Sequence, residues 1–323
     1  MSNVESERKI KMNALEIKGK VNTALCYANV VEDEAIEQIR RMCDYAMTEG
    51  SQIRIMPDVH AGKGCTIGTT MTITDKAVPN VVGVDIGCGM YTVNLGKDDI
   101  DFEKVDEAAH FIPSGREVWE GRQEKFDLTE LRCYRELKDA KRLARSLGTL
   151  GGGNHFIEID EAADGTKYLV IHSGSRNLGK QVAELYQKLA INLNRGYGEY
   201  LEKRDEIIRT YKEQGRKREI QDALKQLHWQ VYESPTSMPE DLCYLEGIYL
   251  EDYLHDVEIC QAFARRSREK MAEVIKTNQP LIDEYNRFYF QKRREKYYQQ
   301  HKKEINYYRK CERELKQHLD KNG

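Results

Sequence analysis

Residues 81–90 read VVGVDIGCGM, and no other stretch restricts the fold as tightly. An apolar run, expected to be a buried strand, leads into a turn built around Gly83, Gly87 and Gly89. Glycine accepts backbone angles closed to other residues, so such a turn can aim Asp85 and Cys88 at one point. A hard carboxylate oxygen beside a soft thiolate suits a borderline divalent cation such as Mn²⁺, Co²⁺ or Zn²⁺. A buried structural cysteine beside a turn aspartate would read the same way when taken alone.

The rest of the chain supplies a large mixed scaffold around that turn. Its 323 residues suffice for one large or two smaller domains with a substantial core. A third of the residues are charged, yet the formal net charge is −3, so any nucleic-acid surface must be local. Eight cysteines are scattered without a CxxC pair. The N-terminal residues lack the apolar centre of a signal peptide, and no apolar stretch has the length of a membrane span. These features together predict a cytoplasmic protein with free thiols.

Periodicity divides the chain coarsely. Residues 12–26 read as strand, and residues 32–49 as a helix with Ala35, Ile36, Ile39, Met42, Cys43 and Ala46 on one face. Residues 51–95 are rich in Gly, Val, Ile and Thr, the composition of short strands joined by tight loops. Residues 102–144 are polar and helical in parts, and residues 148–179 return to strand and glycine-loop character. Residues 181–227 form a charged helical region, read as a solvated surface that can fold into a helical hairpin. Residues 248–275 form a helix whose stripe of Tyr249, Tyr253, Val257, Cys260, Phe263 and Ala264 belongs in the core. The fold class that follows is α+β, with central sheets and outer helices.

Two histidines stand in settings like that of the Asp85–Cys88 turn. His155 follows Gly151, Gly152, Gly153 and Asn154 at the entry to a strand, and His172 ends the apolar strand 168–171. Either alone is more often structural; four ligand-type residues at glycine-rich strand ends point to a metal site. The same loops suit anions. Backbone N–H groups of residues 151–154 and 173–175, with Ser173, Ser175 and Arg176, can cradle and clamp a phosphate. Asp58, His60 and Lys63, within MPDVHAGKG, suggest a third such loop.

Four segments, MPDVHAGKG, GVDIGCGM, LGGGNHFIEI and VIHSGSRNLG, resemble in sequence and order the motifs of the RtcB family of RNA ligases. The resemblance extends over roughly residues 10–275 and implies an incomplete ligase core spanning residues 1–275. It implies a GTP-dependent enzyme joining RNA ends with a 2′,3′-cyclic phosphate or 3′-phosphate to a 5′-hydroxyl. It also implies two Mn²⁺ ions bridged by the Cys88 thiolate. Asp85, Cys88 and His155 would hold one; Cys88, His172 and one further histidine would hold the other. Asn154, His155, Phe156, Ile157 and Glu158 would line the guanylate site. In the family's reaction a histidine attacks the α-phosphate of GTP, the guanylate passes to the RNA 3′-phosphate, and the 5′-hydroxyl attacks in line. The expected partner is such an RNA, with the chain acting as a monomer.

The resemblance stops short of that nucleophile. The family's third metal histidine lies in an HNY-like motif and its guanylated histidine in an HGAGR-like motif, and neither occurs here. After His172 the histidines are His228, His255, His301 and His318, and they stand in other contexts. The expectation is a chain unable to guanylylate itself. A metal- and RNA-binding relative using its tail as a basic arm, and a metal-dependent cyclic phosphoesterase, are the alternatives. Residues 276–323 are read as an out-of-frame ligase C-terminus, so residues 287–323 should dock poorly. One codon phase away, residues 297–312 permit LSAAQKGDKLLPxMR, close to the family's SAxKGDKLLIPxNMRDG.

Overall fold

The computed structural model describes residues 14–62, 64–232 and 238–277. The segment 276–323, apart from its first two residues, and Lys63 therefore lie outside the described residues.

The chain opens with a hairpin, β1 (Leu15–Lys18) and β2 (Thr23–Cys26), followed by α1 (Asp33–Met42), β3 (Ile53–His60) and β4 (Ile67–Met71). These strands form one sheet in the order β1-β2-β3-β4, with β2 and β3 parallel and α1 as their crossover. A parallel pair requires such a crossover, and the helix buries Ala35, Ile39 and Met42. Helix α1 is shorter than its periodicity suggests. A turn follows Met42, leaving Ala46 exposed and burying Met47 instead.

The apolar run before Asp85 is not a strand. After β5 (Lys76–Ala77), Pro79–Val82 form the short helix α2. Pro79 stands at its first position, where its fixed φ favours a helix and its missing N–H costs nothing. Val82 and Val84 are exposed, at 43% and 50%, and Ile86 is the residue that anchors the segment in the core.

The site's own sheet consists of β6 (Gly89–Gly96), β7 (Phe156–Glu161) and β8 (Lys167–Ser173), antiparallel in the order β6-β8-β7. Between β6 and β7 lie α3 (Phe102–Phe111) and α4 (Ala140–Arg145). Strand alternation gives the sheet two unlike faces. Ile171 and Leu169, with Tyr91, Ile157 and Ile159, pack against Met271 and Ala272. On the other face Met90, His172 and Phe156 form one row across the three strands.

The helices that follow are α5 (Arg176–Asn194), α6 (Tyr197–Glu213) and α7 (Ile220–Tyr232). Helices α6 and α7 form the hairpin expected from the charged region, with its tip, residues 212–219, exposed. Strand β9 (Leu245–Glu246) pairs with β5 and leads into α8 (Gly247–Thr277). Tyr253, Cys260, Phe263 and Ala264 of α8 are fully buried, as the stripe predicts, and the first three pack with Leu178, Val182 and Tyr186 of α5. Burial of one such large side chain stabilises by about 1.5–3 kcal/mol. Asp256, also fully buried, accepts from Arg132 N, Cys133 N and Tyr186 Oη at 2.8, 3.1 and 2.9 Å, pinning the 131–133 turn to α8.

Among the described residues no helix is long and apolar enough to cross a membrane. The architecture is α+β, with several sheets covered by helices.

Candidate metal centre

Residues 85–88 form a tight turn in which Cys88 N donates to Asp85 O at 3.1 Å. Gly87 occupies its third position with φ +77°, which a side chain tolerates poorly. A Cβ there would also meet Gln261 Cα of α8 at 2.9 Å and Ala264 Cβ at 3.0 Å. Gly87→Ala is therefore expected to cost about 1–3 kcal/mol, read as a lower urea midpoint at constant slope. A midpoint within error of wild type would contradict this packing.

The turn brings Cys88 to the ends of β7 and β8. Cys88 Sγ lies 3.2 Å from His172 Nε2 and 3.7 Å from His155 Nε2, and the three ligand atoms all fall within 4.8 Å of one another. Two ligands of a tetrahedral ion at bond lengths of about 2.0–2.3 Å stand roughly 3.5 Å apart, so the spacing fits. Asp85 joins through His155, with Oδ2 3.0 Å from Nε2. Gly174 makes room for this carboxylate, because a Cβ there would collide with Asp85 Oδ1.

Hydrogen bonding fixes the His155 ring. Its Nδ1 lies 2.9 Å from Leu150 O, a pure acceptor, so Nδ1 carries a proton. Nε2 is then the nitrogen that faces the Asp85 carboxylate and the Cys88 sulfur. A carboxylate, a sulfur and two imidazole nitrogens meeting in this way form a donor set that could hold a metal ion. Although Cys88 is exposed as a residue, desolvation of its sulfur, reinforced by Asp85, pushes the thiol up to about 12, while Arg268 acts in the opposite direction. Burial, then His155, lowers the His172 pKa, favouring the neutral imidazole that metals bind. The His172 ring stacks on Phe156 at 5.3 Å and 16°, and its Nδ1 is buried with no hydrogen-bond partner among the described residues.

The other predicted residues divide. Asn154 is exposed on the approach to His155, and Phe156 and Glu158 share the His172 face of the sheet. Ile157 does not: strand alternation turns it into the core beside Ile171, away from any surface shared with Phe156. Ser173 Oγ is buried and donates to Leu150 O at 2.8 Å, and Ser175 Oγ is buried without a described partner. Neither hydroxyl is presented to an outside phosphate. Arg176 donates through Nη2 to Gly115 O at 2.8 Å and through Nε to Thr149 Oγ1 at 3.2 Å, and burial lowers its pKa. Asp58 and His60 are exposed residues of β3, not of a loop, and no described contact joins them to Cys88. His255 is committed elsewhere, with Nε2 3.1 Å from Glu130 O.

Beside the centre opens a cleft of about 750 Å³ lined by Asp85, Asn154, His155 and Arg176, with Arg142 and Lys180 among its basic groups. Motif reading does not find Arg142 and Lys180, because lone cations on charged helices carry no periodic signal.

One thiolate, one carboxylate and two imidazoles, drawn together by glycine-rich strand ends on an α+β scaffold, have the donor chemistry of a divalent transition-metal centre. The family profile for tRNA-splicing ligase RtcB matches residues 41–139 and 117–299, and the chain belongs to that family. It is 31% identical over 252 residues to the RNA-splicing ligase RtcB of Escherichia coli K12, covering 70% of this chain and 52% of that protein. It is also 31% identical over 199 residues to the tRNA-splicing ligase RtcB of Thermococcus kodakarensis, covering 45% of this chain and 41% of that protein. The chain thus spans about half the length of the curated relatives it matches.

Proposed function

We propose that this chain carries the metal-holding part of a GTP- and Mn²⁺-dependent RNA ligase. Its substrates would be RNA ends bearing a 2′,3′-cyclic phosphate or 3′-phosphate and a 5′-hydroxyl, as in tRNA splicing or RNA repair. The observation that carries the reading is the convergence of Asp85, Cys88, His155 and His172 from three of the four motif-bearing segments. Asp85, Cys88 and His155 would hold one ion, and Cys88 and His172 would contribute to a second. Such ions, when bound, neutralise charge developing on phosphoryl oxygens. The chain's own contribution is to fix the ligands: Leu150 O orients His155, and Phe156 holds the His172 ring by stacking. The adjoining cleft, with Arg142, Arg176 and Lys180 on its walls, offers the RNA phosphate a basic approach on the Asp85 side. Asn154 and Glu158 remain candidates for the guanylate site. The scattered free thiols suit a reducing cytoplasm.

Two results test this reading. RNA ending in a 3′-phosphate should bind more tightly with Mn²⁺ than the same RNA ending in a 3′-hydroxyl, measured by fluorescence anisotropy; equal affinities contradict the assignment. Because HNY- and HGAGR-like motifs do not occur in the sequence, this polypeptide should form no covalent adduct with labelled GTP and Mn²⁺. A stable adduct would mean that another residue serves as nucleophile. Metal-dependent opening of a 2′,3′-cyclic phosphate without GTP would favour the phosphoesterase reading instead. Sequencing the gene through the codons for residues 276–323 tests the out-of-frame tail, which fails if no restored frame encodes the two motifs.

A further inference from the structure

Two neighbouring residues of α8, Ser267 and Arg268, touch the backbone of all three segments that deliver ligands. Arg268 is only 9% exposed, and its Nη1 donates to Gly87 O at 2.8 Å and to Ser173 O at 2.6 Å. Gly87 lies between Asp85 and Cys88, and Ser173 follows His172. One guanidinium nitrogen therefore ties the Asp85–Cys88 turn to the end of β8. Ser267, fully buried, accepts from Gly148 N at 2.9 Å. Gly148 opens the loop that runs to His155, whose ring is held by Leu150 O in the same loop.

A buried guanidinium is a costly way to fill space, since desolvating a charge is repaid only by well-placed partners. Its Nε has no hydrogen-bond partner among the described residues, so the two Nη1 bonds are what offset its burial. Burial lowers its pKa, and Cys88 and Asp85 act in the opposite direction.

We infer that Arg268, supported by Ser267, is a positioning residue for the metal centre: it holds the Cys88 turn and the His172 strand end at metal-binding separation. The inference rests on the metal reading above. Partners behind the ligands of a metal site typically change affinity roughly ten- to hundredfold when lost.

Co²⁺ alone is the probe, because its sulfur-to-metal charge-transfer absorption reports directly on Cys88. Wild type should show the band and saturate. Arg268→Met should weaken Co²⁺ affinity roughly ten- to hundredfold and diminish the band per bound ion, while far-UV circular dichroism and cooperative melting persist. Arg268→Lys should recover part of the affinity, and Ser267→Ala should show a smaller loss than Arg268→Met. Folded Arg268→Met and Arg268→Lys proteins with wild-type affinity and band would overturn the inference and leave the metal reading intact. If Arg268→Met does not fold, Arg268→Lys decides: intermediate affinity supports the role and wild-type affinity refutes it. No thiolate band in wild type would defeat the metal reading and the inference with it.

Discussion

Replacing Cys88 with alanine should abolish the thiolate–cobalt absorption and weaken divalent-metal binding by more than roughly a hundredfold. Partners behind the ligands already account for about ten- to hundredfold, so losing the central ligand must exceed that range. Cys88 stands within ligand distance of both His155 and His172, and no other described side chain links the two. The fold should survive, because Cys88 is exposed and contributes little packing. The expected signature is therefore loss of metal at nearly unchanged metal-free stability. Equal metal affinity in wild type and Cys88→Ala, measured by calorimetry, would remove Cys88 from the centre.

The largest stability effect is expected far from the ligands, at Asp256. Asp256→Ala leaves two part-buried backbone N–H groups and the buried Tyr186 hydroxyl without their acceptor. Three donors losing one fully buried shared acceptor predict about 3–5 kcal/mol of destabilisation. Asp256→Asn keeps one carbonyl acceptor and should cost clearly less. Denaturant titration of both variants checks the order, and an Asp256→Ala loss under about 1 kcal/mol would show that the turn at 131–133 finds other partners.

The candidate ligands are legible in the sequence because their chemistry is local. Asp85 and Cys88 share one turn, and His155 and His172 each sit where a strand meets glycines, so residue type and immediate context are enough. The long stripe of α8 is legible for the same reason, since a 3.6-residue period needs no knowledge of what it packs against. The Val81–Val84 run misleads, because apolar composition does not separate a strand from a short exposed turn of helix when a proline starts it. Ile157 enters the guanylate-site expectation through its neighbours' motif, but a period of two places adjacent strand residues on opposite faces. Asp58 and His60 look like a binding loop in the sequence and form the end of β3 in the fold.

Arg268 is hidden most completely. In ARRSREK it reads as one more cation on a charged helix; the period that carries Cys260 and Ala264 puts it on their face, which Arg265 and Arg266 leave, but its charge argues against reading it as core. Arg266 does turn outward, to Glu124, Glu269 and Glu273. Arg268 is buried because α8 passes beneath the turn at Gly87 and the end of β8, a long-range relation that exists only in the folded chain.

Everything proposed for this chain depends on a cation between the turn at Asp85–Cys88 and the ends of β7 and β8. Crystals of the chain grown with Mn²⁺ and measured at the manganese absorption edge test this directly. The predicted result is an anomalous peak within bonding distance of Cys88 Sγ and of His155 Nε2, His172 Nε2 or both. A well-ordered structure with those side chains in place and no anomalous peak among them would contradict it.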